Sequence, residues 1–169
     1  AVGQQLAIFV DTAAAGAMTT ADYDSIVAVF DTRLYPTDTL AFGAESDIDA
    51  NDRVIVLMAP TINRLVTATL CATSGFVSGY FYGEDLNPAN ALDPDYNHGE
   101  VFYTLVADPS GQYSCTHTLD EVKRILPVTF VHELQHMISY NQHVLVRSGE
   151  PQRLWLDEGM SHFAEELQR

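Results

Sequence analysis

The segment from Val131 to Leu167 constrains the fold more than any other part of the chain, because it contains two consecutive helical patterns. The first pattern is centred on His132-Glu133-Leu134-Gln135-His136, in which two histidines stand four residues apart. On an α-helix, residues with this spacing lie on one face, one turn from each other. The imidazoles of His132 and His136 can therefore bind one tetrahedral Zn²⁺, with Glu133 beside the metal but not bound to it.

The residues on both sides of this motif indicate a buried site. An apolar run covers residues 125–131, and Pro127 within it predicts that the motif helix begins close to that proline. A second helix is predicted at 155–167, with an inward apolar face formed by Leu156, Met160, Phe163 and Leu167. Glu158 in this helix is the natural third ligand. Two histidines and one glutamate leave a fourth zinc position for water, which is typical of a catalytic site.

This combination of motifs resembles the gluzincin metallopeptidases, and more narrowly the bacterial hyicolysin-type family. The resemblance rests on the histidine motif, on the segment 155–167, and on apolar blocks at residues 54–60, 75–81 and 100–105. It implies an α+β fold, that of a zincin-like N-terminal subdomain. In this fold a small mixed β-sheet is followed by the H-E-x-x-H active-site helix and then by a glutamate helix. Residues 1–127 would be mostly sheet and scaffold helix, and residues 128–169 the zinc-binding helices. The resemblance also implies a longer protein, with a C-terminal subdomain after this catalytic core.

The resemblance implies zinc-dependent hydrolysis of peptide bonds, with a zinc-bound water activated by Glu133 as general base. The main expectation is an endopeptidase acting on peptide or protein substrates. Two alternatives stay open. One is an inactive, zinc-containing domain that only holds peptides, which the intact Glu133 disfavours. The other is a zinc aminopeptidase, in which an acid such as Glu100 would bind the free amino terminus of the substrate.

Several further site residues are expected around this centre. Glu165 stands seven residues after Glu158 on the same helical face, so it is predicted to orient a ligating histidine. His162 could donate a hydrogen bond to a ligand, act as a spare ligand or lie at the surface. Gluzincins place a sheet edge along the cleft, which here predicts a substrate-binding strand containing Glu100, Val101, Phe102 and Tyr103. No motif selects an oxyanion donor among Tyr96, His98, Tyr140 and His143.

The remainder of the chain predicts the scaffold of the site. Apolar, branched and aromatic runs predict strands at residues 5–10, 53–59, 75–82 and 100–106. A helix capped by Thr20 or Asp22 is predicted to end near residues 33–36. Residues 83–99 are rich in Asn, Asp, Pro and Gly and are longer than an ordinary connection, so they are expected to border the cleft.

Composition limits the classes of protein and partner. The 169 residues, 47% of them hydrophobic, fit one globular domain, and no apolar run is long enough for membrane insertion. The formal net charge of −15 disfavours nucleic acid as a partner. A start at Ala1-Val2-Gly3 is typical of a mature protein, which together with the acidic charge predicts a secreted, extracellular one. Cys71 and Cys115 could form one disulfide or remain separate thiols. They are not expected to bind zinc, because the one neighbour at ligand spacing, His117 in Cys115-x-His117, has no further partners nearby in the sequence.

One acidic loop resembles the beginning of a calcium-binding loop. It reads Asp47-x-Asp49-x-Asn51-Asp52, which has acidic or amide side chains at alternating positions. It lacks the glycine of the sixth position and the glutamate of the twelfth, where Met58 stands. The loop is therefore an incomplete match, and the sequence disfavours Ca²⁺ binding there.

Overall fold

A four-stranded sheet forms one layer of the molecule in the computed structural model, which describes residues 1–14 and 16–168. The strands are β1 (Leu6–Val10), β2 (Val54–Met58), β3 (Gly79–Phe81) and β4 (Val101–Thr104), in the spatial order β1-β2-β4-β3. The first three strands in that order are parallel, and β3 runs antiparallel to β4. The prediction of an α+β fold with a small mixed sheet is confirmed.

Helices account for most of the remaining regular structure. They are α1 (Thr20–Val29), α2 (Tyr35–Phe42), α3 (Pro60–Asn63), α4 (Ala68–Ser74), α5 (Leu119–Tyr140) and α6 (Leu154–Leu167). Two π-helical segments, Phe30–Leu34 and Asn141–Leu145, join α1 to α2 and follow α5, and short 3₁₀ turns cover Thr12–Ala14, Gly83–Leu86 and Pro88–Asn90. No helix in the described residues is both long and apolar enough to cross a membrane.

The helix α5 packs on the sheet through large aromatic side chains. Phe130 of α5 makes edge-to-face contacts with Phe102 of β4 and with Phe30, at ring-centroid distances of 5.2 and 6.3 Å. All three side chains are fully buried. Aromatic pairs in this geometry stabilise a core by roughly 0.5–1.5 kcal/mol beyond the burial of their surface. This packing fixes α5 against the sheet and thereby fixes the histidines, which lie two and six residues after Phe130.

The prediction that the motif helix begins near Pro127 was wrong. The helix α5 begins at Leu119, where the side chain of Thr118 accepts a hydrogen bond from the backbone N–H of Glu121. Pro127 lies inside the helix, where a proline costs about 3 kcal/mol. Leu126 and Phe130 on either side of it are 0% exposed, and burying such a side chain stabilises the fold by roughly 1.5–3 kcal/mol each. Burial therefore outweighs the local preference of proline.

The first helical region also differs from its prediction at both ends. Its cap is Thr19, which forms a capping box with Asp22, and the helix starts at Thr20. It does not end near Pro36, because the chain continues through the π-helical segment into α2 and stops before Gly43, whose φ is 98°. In that segment the N–H of Tyr35 bonds to the carbonyl of Phe30, and this wider turn accommodates Pro36 at the start of α2.

The predicted inward apolar face of α6 was also wrong. Its fully buried residues are Ser161 and Ala164, whereas Leu156, Phe163 and Leu167 are 37%, 51% and 41% exposed. Small residues allow the backbone of α6 to approach α5 closely, and polar side chains occupy the rest of the facing surface. The larger apolar side chains of α6, together with Trp155 at 72% exposed, consequently remain on the outside.

A disulfide connects Cys71 of α4 to Cys115 in the loop before α5, resolving the alternative left open by the sequence. We expect the double substitution Cys71→Ala/Cys115→Ala to lower the free energy of unfolding by about 4 kcal/mol, because the bond closes a loop of 44 residues in the unfolded chain. Denaturant titration measures the change, with Ala72→Ser on the exposed side of α4 as control. A loss below about 1 kcal/mol would contradict this prediction.

Candidate metal centre

Three potential ligands converge where α5 and α6 pack together. His132 and His136 project from α5, and Glu158 projects from α6. The Nε2 atom of His132 lies 3.3 Å from Glu158 Oε2, and the Nε2 atom of His136 lies 3.8 Å from Glu158 Oε1. One ligand atom from each of the three residues lies within 4.8 Å of the other two. Two imidazole nitrogens and a carboxylate oxygen at this separation fit the donor set of a tetrahedral zinc site.

Each histidine also has an oxygen partner at its other ring nitrogen. His132 Nδ1 lies 2.7 Å from Glu165 Oε1, while His136 Nδ1 lies 2.9 Å from Asp157 Oδ2 and 3.2 Å from Ser161 Oγ. An ionised carboxylate only accepts hydrogen bonds, so the Nδ1 atoms donate. This tautomer leaves both Nε2 lone pairs directed toward the shared carboxylate, as metal binding requires.

The charges around His136 favour its protonated form when no cation is bound. Burial by itself lowers the pKa of this imidazole, but the hydrogen bond to Asp157 and the negative charges of Glu133 and Glu158 outweigh it, so that the pKa is raised. The same negative charges that hold a proton also attract a divalent cation. A metal that binds to Nε2 must displace that proton, so we expect metal affinity to rise with pH through the titration range of His136.

Glu133 lies at the bottom of a cleft and is 5% exposed. Burial raises its pKa to about 7, while the charge of His136 and a hydrogen bond from the backbone N–H of Phe81 act in the opposite direction. The hydrogen bond links the carboxylate to β3, across the cleft from α6. A carboxyl group with a pKa close to neutrality is suited to accept and return a proton in this place.

The cleft beside these residues has a volume of about 530 Å³. One wall is β3 with the turn that follows it, and the opposite wall is formed by α5, the loop before α6, and the first turns of α6. The lining residues are Gly79, Tyr80, Phe81, Tyr82, Gly83, Glu84, His132, Glu133, His136, Ser139, Tyr140, Pro151, Gln152, Leu154, Asp157 and Glu158. The expectation that the polar segment 83–99 borders the cleft holds only for its first residues, Gly83 and Glu84.

The four residues considered as oxyanion donors lie in different places. Tyr140 lines the cleft, at 6.0 Å from the ring of Phe81. Tyr96 instead stacks on Tyr82, and His98 Nε2 lies 2.7 Å from the carbonyl oxygen of Asp93. His143 contacts the side chain of Gln152, 2.7 Å away, and does not itself line the cleft. Tyr140 is therefore the one of these four that the fold brings to the cleft wall.

His162 is a neighbour of the centre with most of its side chain in solvent. Its Nδ1 atom lies 3.0 Å from Glu165 Oε1, and its ring centroid lies 5.1 Å from that of His132. The side chain is 68% exposed. His132 and His162 thus share the carboxylate of Glu165, which lies on the side of His132 that faces away from Glu158.

The predicted substrate-binding strand at 100–103 was placed wrongly. β4 pairs with β2 on one side and with β3 on the other, so its backbone is not a free sheet edge. The sheet edge beside the cleft is β3, a short strand that the local apolar pattern at 75–82 did not separate from its neighbours. Glu100 is 1% exposed and accepts hydrogen bonds from Ser46 and Ile48, away from the cleft.

Sequence reasoning missed the roles of Asp157 and Ser161. The two residues stand four apart in α6, so they lie on one face of the helix and both reach His136 Nδ1. Ser161 additionally donates a hydrogen bond to Gln135 of the histidine motif. The spacing of these two residues is visible in the sequence, but it does not by itself distinguish Asp157 from the other acids of the segment.

The fold and the site together define an α+β protein with the donor set of a divalent-metal centre. The chain is 30% identical over 139 residues to the neutral metalloprotease ShpI of Staphylococcus hyicus. The aligned region covers 82% of this chain and 29% of that protein, so the chain spans less than a third of the relative's length. No protein-family model matches the chain. The similarity supports a relationship to metallopeptidases.

Proposed function

We propose that this chain is the catalytic core of a zinc-dependent endopeptidase of the gluzincin type, with a zincin-like fold. The observation that carries the proposal is the convergence of His132, His136 and Glu158 beside the buried carboxyl group of Glu133, at the base of a cleft. The relationship to a metalloprotease supports the same conclusion. Peptide or protein would be the substrate.

His132, His136 and Glu158 would hold the zinc ion. When bound, the ion lowers the pKa of a coordinated water and polarises the carbonyl group of a substrate. Glu165 and Asp157 fix the orientations of the two imidazoles through their Nδ1 atoms. Because both carboxylates belong to the same helix as Glu158, α6 provides one ligand and the supports of the other two.

Glu133 is the proposed general base. Its carboxylate accepts the proton of the attacking water and then returns it to the amine that leaves. Its ionised form is needed for the first of these steps, and the hydrogen bond from Phe81 stabilises that form. The carboxyl group of Glu133 lies between β3 and His136. It is therefore beside the proposed ligands but is not one of them.

The β3 edge is the proposed platform for an extended substrate. An edge strand can add a peptide strand through main-chain hydrogen bonds, which gives affinity with little dependence on sequence. Tyr80 and Tyr82, which are 37% and 46% exposed, lie along this wall and provide apolar surface for substrate side chains. This role replaces the one that the sequence suggested for residues 100–103.

The geometry favours an endopeptidase over an aminopeptidase. An aminopeptidase requires an acid on the cleft wall that is free to bind the amino group of the substrate. Glu100, the acid that the sequence suggested for this role, does not line the cleft. We also propose a secreted, extracellular location, which the disulfide supports because such bonds persist in oxidising compartments.

Digestion of a denatured protein by the purified chain tests the proposed function. We expect cleavage at internal peptide bonds, complete loss of cleavage after treatment with a zinc chelator, and recovery on addition of zinc. Sequencing of the product termini distinguishes the alternatives. Stepwise loss of residues from the amino terminus would establish an aminopeptidase, and zinc binding without any cleavage would establish a peptide-holding domain.

A further inference from the structure

A second cluster of acids lies where the loop after α2 meets the beginning of β4. One carboxylate oxygen from each of Asp47, Asp49 and Glu100 lies within 4.8 Å of the other two. Asp47 and Asp49 are exposed loop residues, whereas Glu100 belongs to the core. None of these residues lines the cleft of the zinc centre.

The carboxylate of Glu100 is buried with one of its oxygens unused. Oε1 accepts hydrogen bonds from the hydroxyl of Ser46 and from the backbone N–H of Ile48. Oε2 is buried and has no hydrogen-bond partner within the described residues. An ionised carboxylate in this state is strongly unfavourable unless a positive charge or a metal ion compensates it. This oxygen is the observation that distinguishes the cluster from an ordinary acidic surface.

The carboxylate of Glu45 resembles that of Glu100, because one of its two oxygens is buried without a hydrogen-bond partner in the described residues. Glu45 accepts a hydrogen bond from the hydroxyl of Tyr35 through Oε1, while its Oε2 is buried without a partner in the part of the chain described here. This corner therefore contains a second buried carboxylate oxygen without a hydrogen-bond partner in the described residues.

The basic side chain closest in sequence does not compensate these charges. The guanidinium group of Arg53 donates hydrogen bonds to the backbone carbonyls of Gly3 and Asn51. Among residues 1–14 and 16–168, no ion pair between Arg or Lys and any of the four carboxylates is found. Protonation of a carboxyl group or a cation from solution is the remaining source of compensation.

The loop is held in a form that presents its acids together. Asp47 Oδ1 accepts hydrogen bonds from the backbone N–H groups of Asn51 and Asp52. Gly99, directly before Glu100, lets the start of β4 approach the loop, because a Cβ atom at this position would come within 2.8 Å of Asp49 Oδ2. The close approach is what brings a core glutamate to the loop carboxylates.

We propose that Asp47, Asp49 and Glu100 form a Ca²⁺ site, to which Glu45 contributes negative charge. The donor set consists of oxygen alone, without His or Cys, and Ca²⁺ accepts such ligands in flexible geometry. The loop sequence lacks the glutamate that usually completes a calcium loop, and Glu100, directly before β4, supplies a carboxylate from a segment far away in sequence. Bound calcium would tie the loop between α2 and β2 to the sheet.

Thermal unfolding with and without CaCl₂ tests the site, using protein freed of all bound metal on a chelating resin and then reloaded with zinc alone. We expect calcium at about 100 times its dissociation constant to raise the melting temperature by roughly 5 °C, since it binds the folded state only. Glu100→Gln and Asp49→Asn should each abolish this rise and leave the zinc content unchanged. Asp24→Asn, an exposed acid of α1, is the matched control and should keep the full rise.

The Glu100→Gln variant also separates a metal ligand from a merely structural residue. Its amide oxygen can still accept from Ser46 and Ile48, and the uncompensated charge is gone. Without calcium it should therefore unfold at a higher temperature than the parent, and with calcium at a lower one. The proposal is overturned if calcium raises the parent's melting temperature no more than MgCl₂ at the same concentration, or if the full rise persists in both variants.

Discussion

Peptide turnover should fall by about 10²–10⁴-fold when Glu133 is replaced by Gln, while the fold and the bound zinc stay intact. The amide has the same shape as the carboxyl group and can still accept the hydrogen bond from Phe81. It cannot take a proton from the attacking water, because an amide oxygen is a far weaker base than a carboxylate. The loss should appear in kcat and in kcat/KM equally, as for an interaction that acts only in the transition state.

Zinc content and turnover have to be measured on the same preparation of the Glu133→Gln variant. Asp120→Asn, at the exposed start of α5, is the control, since it removes a carboxylate from the same helix outside the cleft. Full zinc occupancy with the expected loss of turnover assigns proton transfer to Glu133. Residual activity within about tenfold of the parent would rule out that assignment, because general-base catalysis contributes more than this.

The parts of the site that the sequence predicted are those encoded by spacing within one helix. His132 and His136 stand four residues apart, and Glu158 and Glu165 stand seven apart, so each pair shares a helical face whatever the rest of the fold is. The structure brings His132, His136 and Glu158 together, and it places Glu165 on the opposite side of the His132 ring, 2.7 Å from Nδ1. Local periodicity was sufficient here because α5 and α6 are long and regular.

The parts that the sequence did not predict depend on contacts between distant segments. The order of strands in the sheet decides which one faces the cleft, and no local pattern distinguishes the edge strand β3 from the interior strand β4. The position of Pro127 inside α5 follows from the burial of its neighbours. A local rule for proline does not include the free energy gained by burying those neighbours, so the helix was predicted to start too late.

The outward apolar residues of α6 are another case in which a local pattern did not predict the three-dimensional arrangement. Periodicity identified Leu156, Met160, Phe163 and Leu167 as a face, and a face of this kind usually points to the core. The adjacent face carries Ser161 and Ala164, which are fully buried, together with Glu158 and Glu165, which reach the histidines of α5. Packing of this small and polar face on α5 sets the orientation of the helix, and it leaves Leu156, Phe163 and Leu167 37%, 51% and 41% exposed.

Substitution of Glu158 by Ala should weaken zinc binding more than any change to the residues that support the histidines. Loss of an outer hydrogen-bond partner typically weakens metal affinity by 10–100-fold, and loss of a direct ligand should exceed that range. Glu158 faces the Nε2 atoms of both His132 and His136, so without it the imidazoles keep their orientation but lose the third donor. Competition with a chromogenic chelator gives the affinities.

Two comparisons make this last measurement specific. Glu165→Gln should weaken zinc binding by about 10–100-fold, because its amide still accepts the hydrogen bond of His132 Nδ1 but no longer carries charge. Glu150→Gln, an exposed acid before α6, controls for the loss of one negative charge near the site and should leave the affinity unchanged. If Glu158→Ala bound stoichiometric zinc as tightly as the parent, Glu158 would not be a ligand. The third donor would then have to be another group within reach of the two Nε2 atoms.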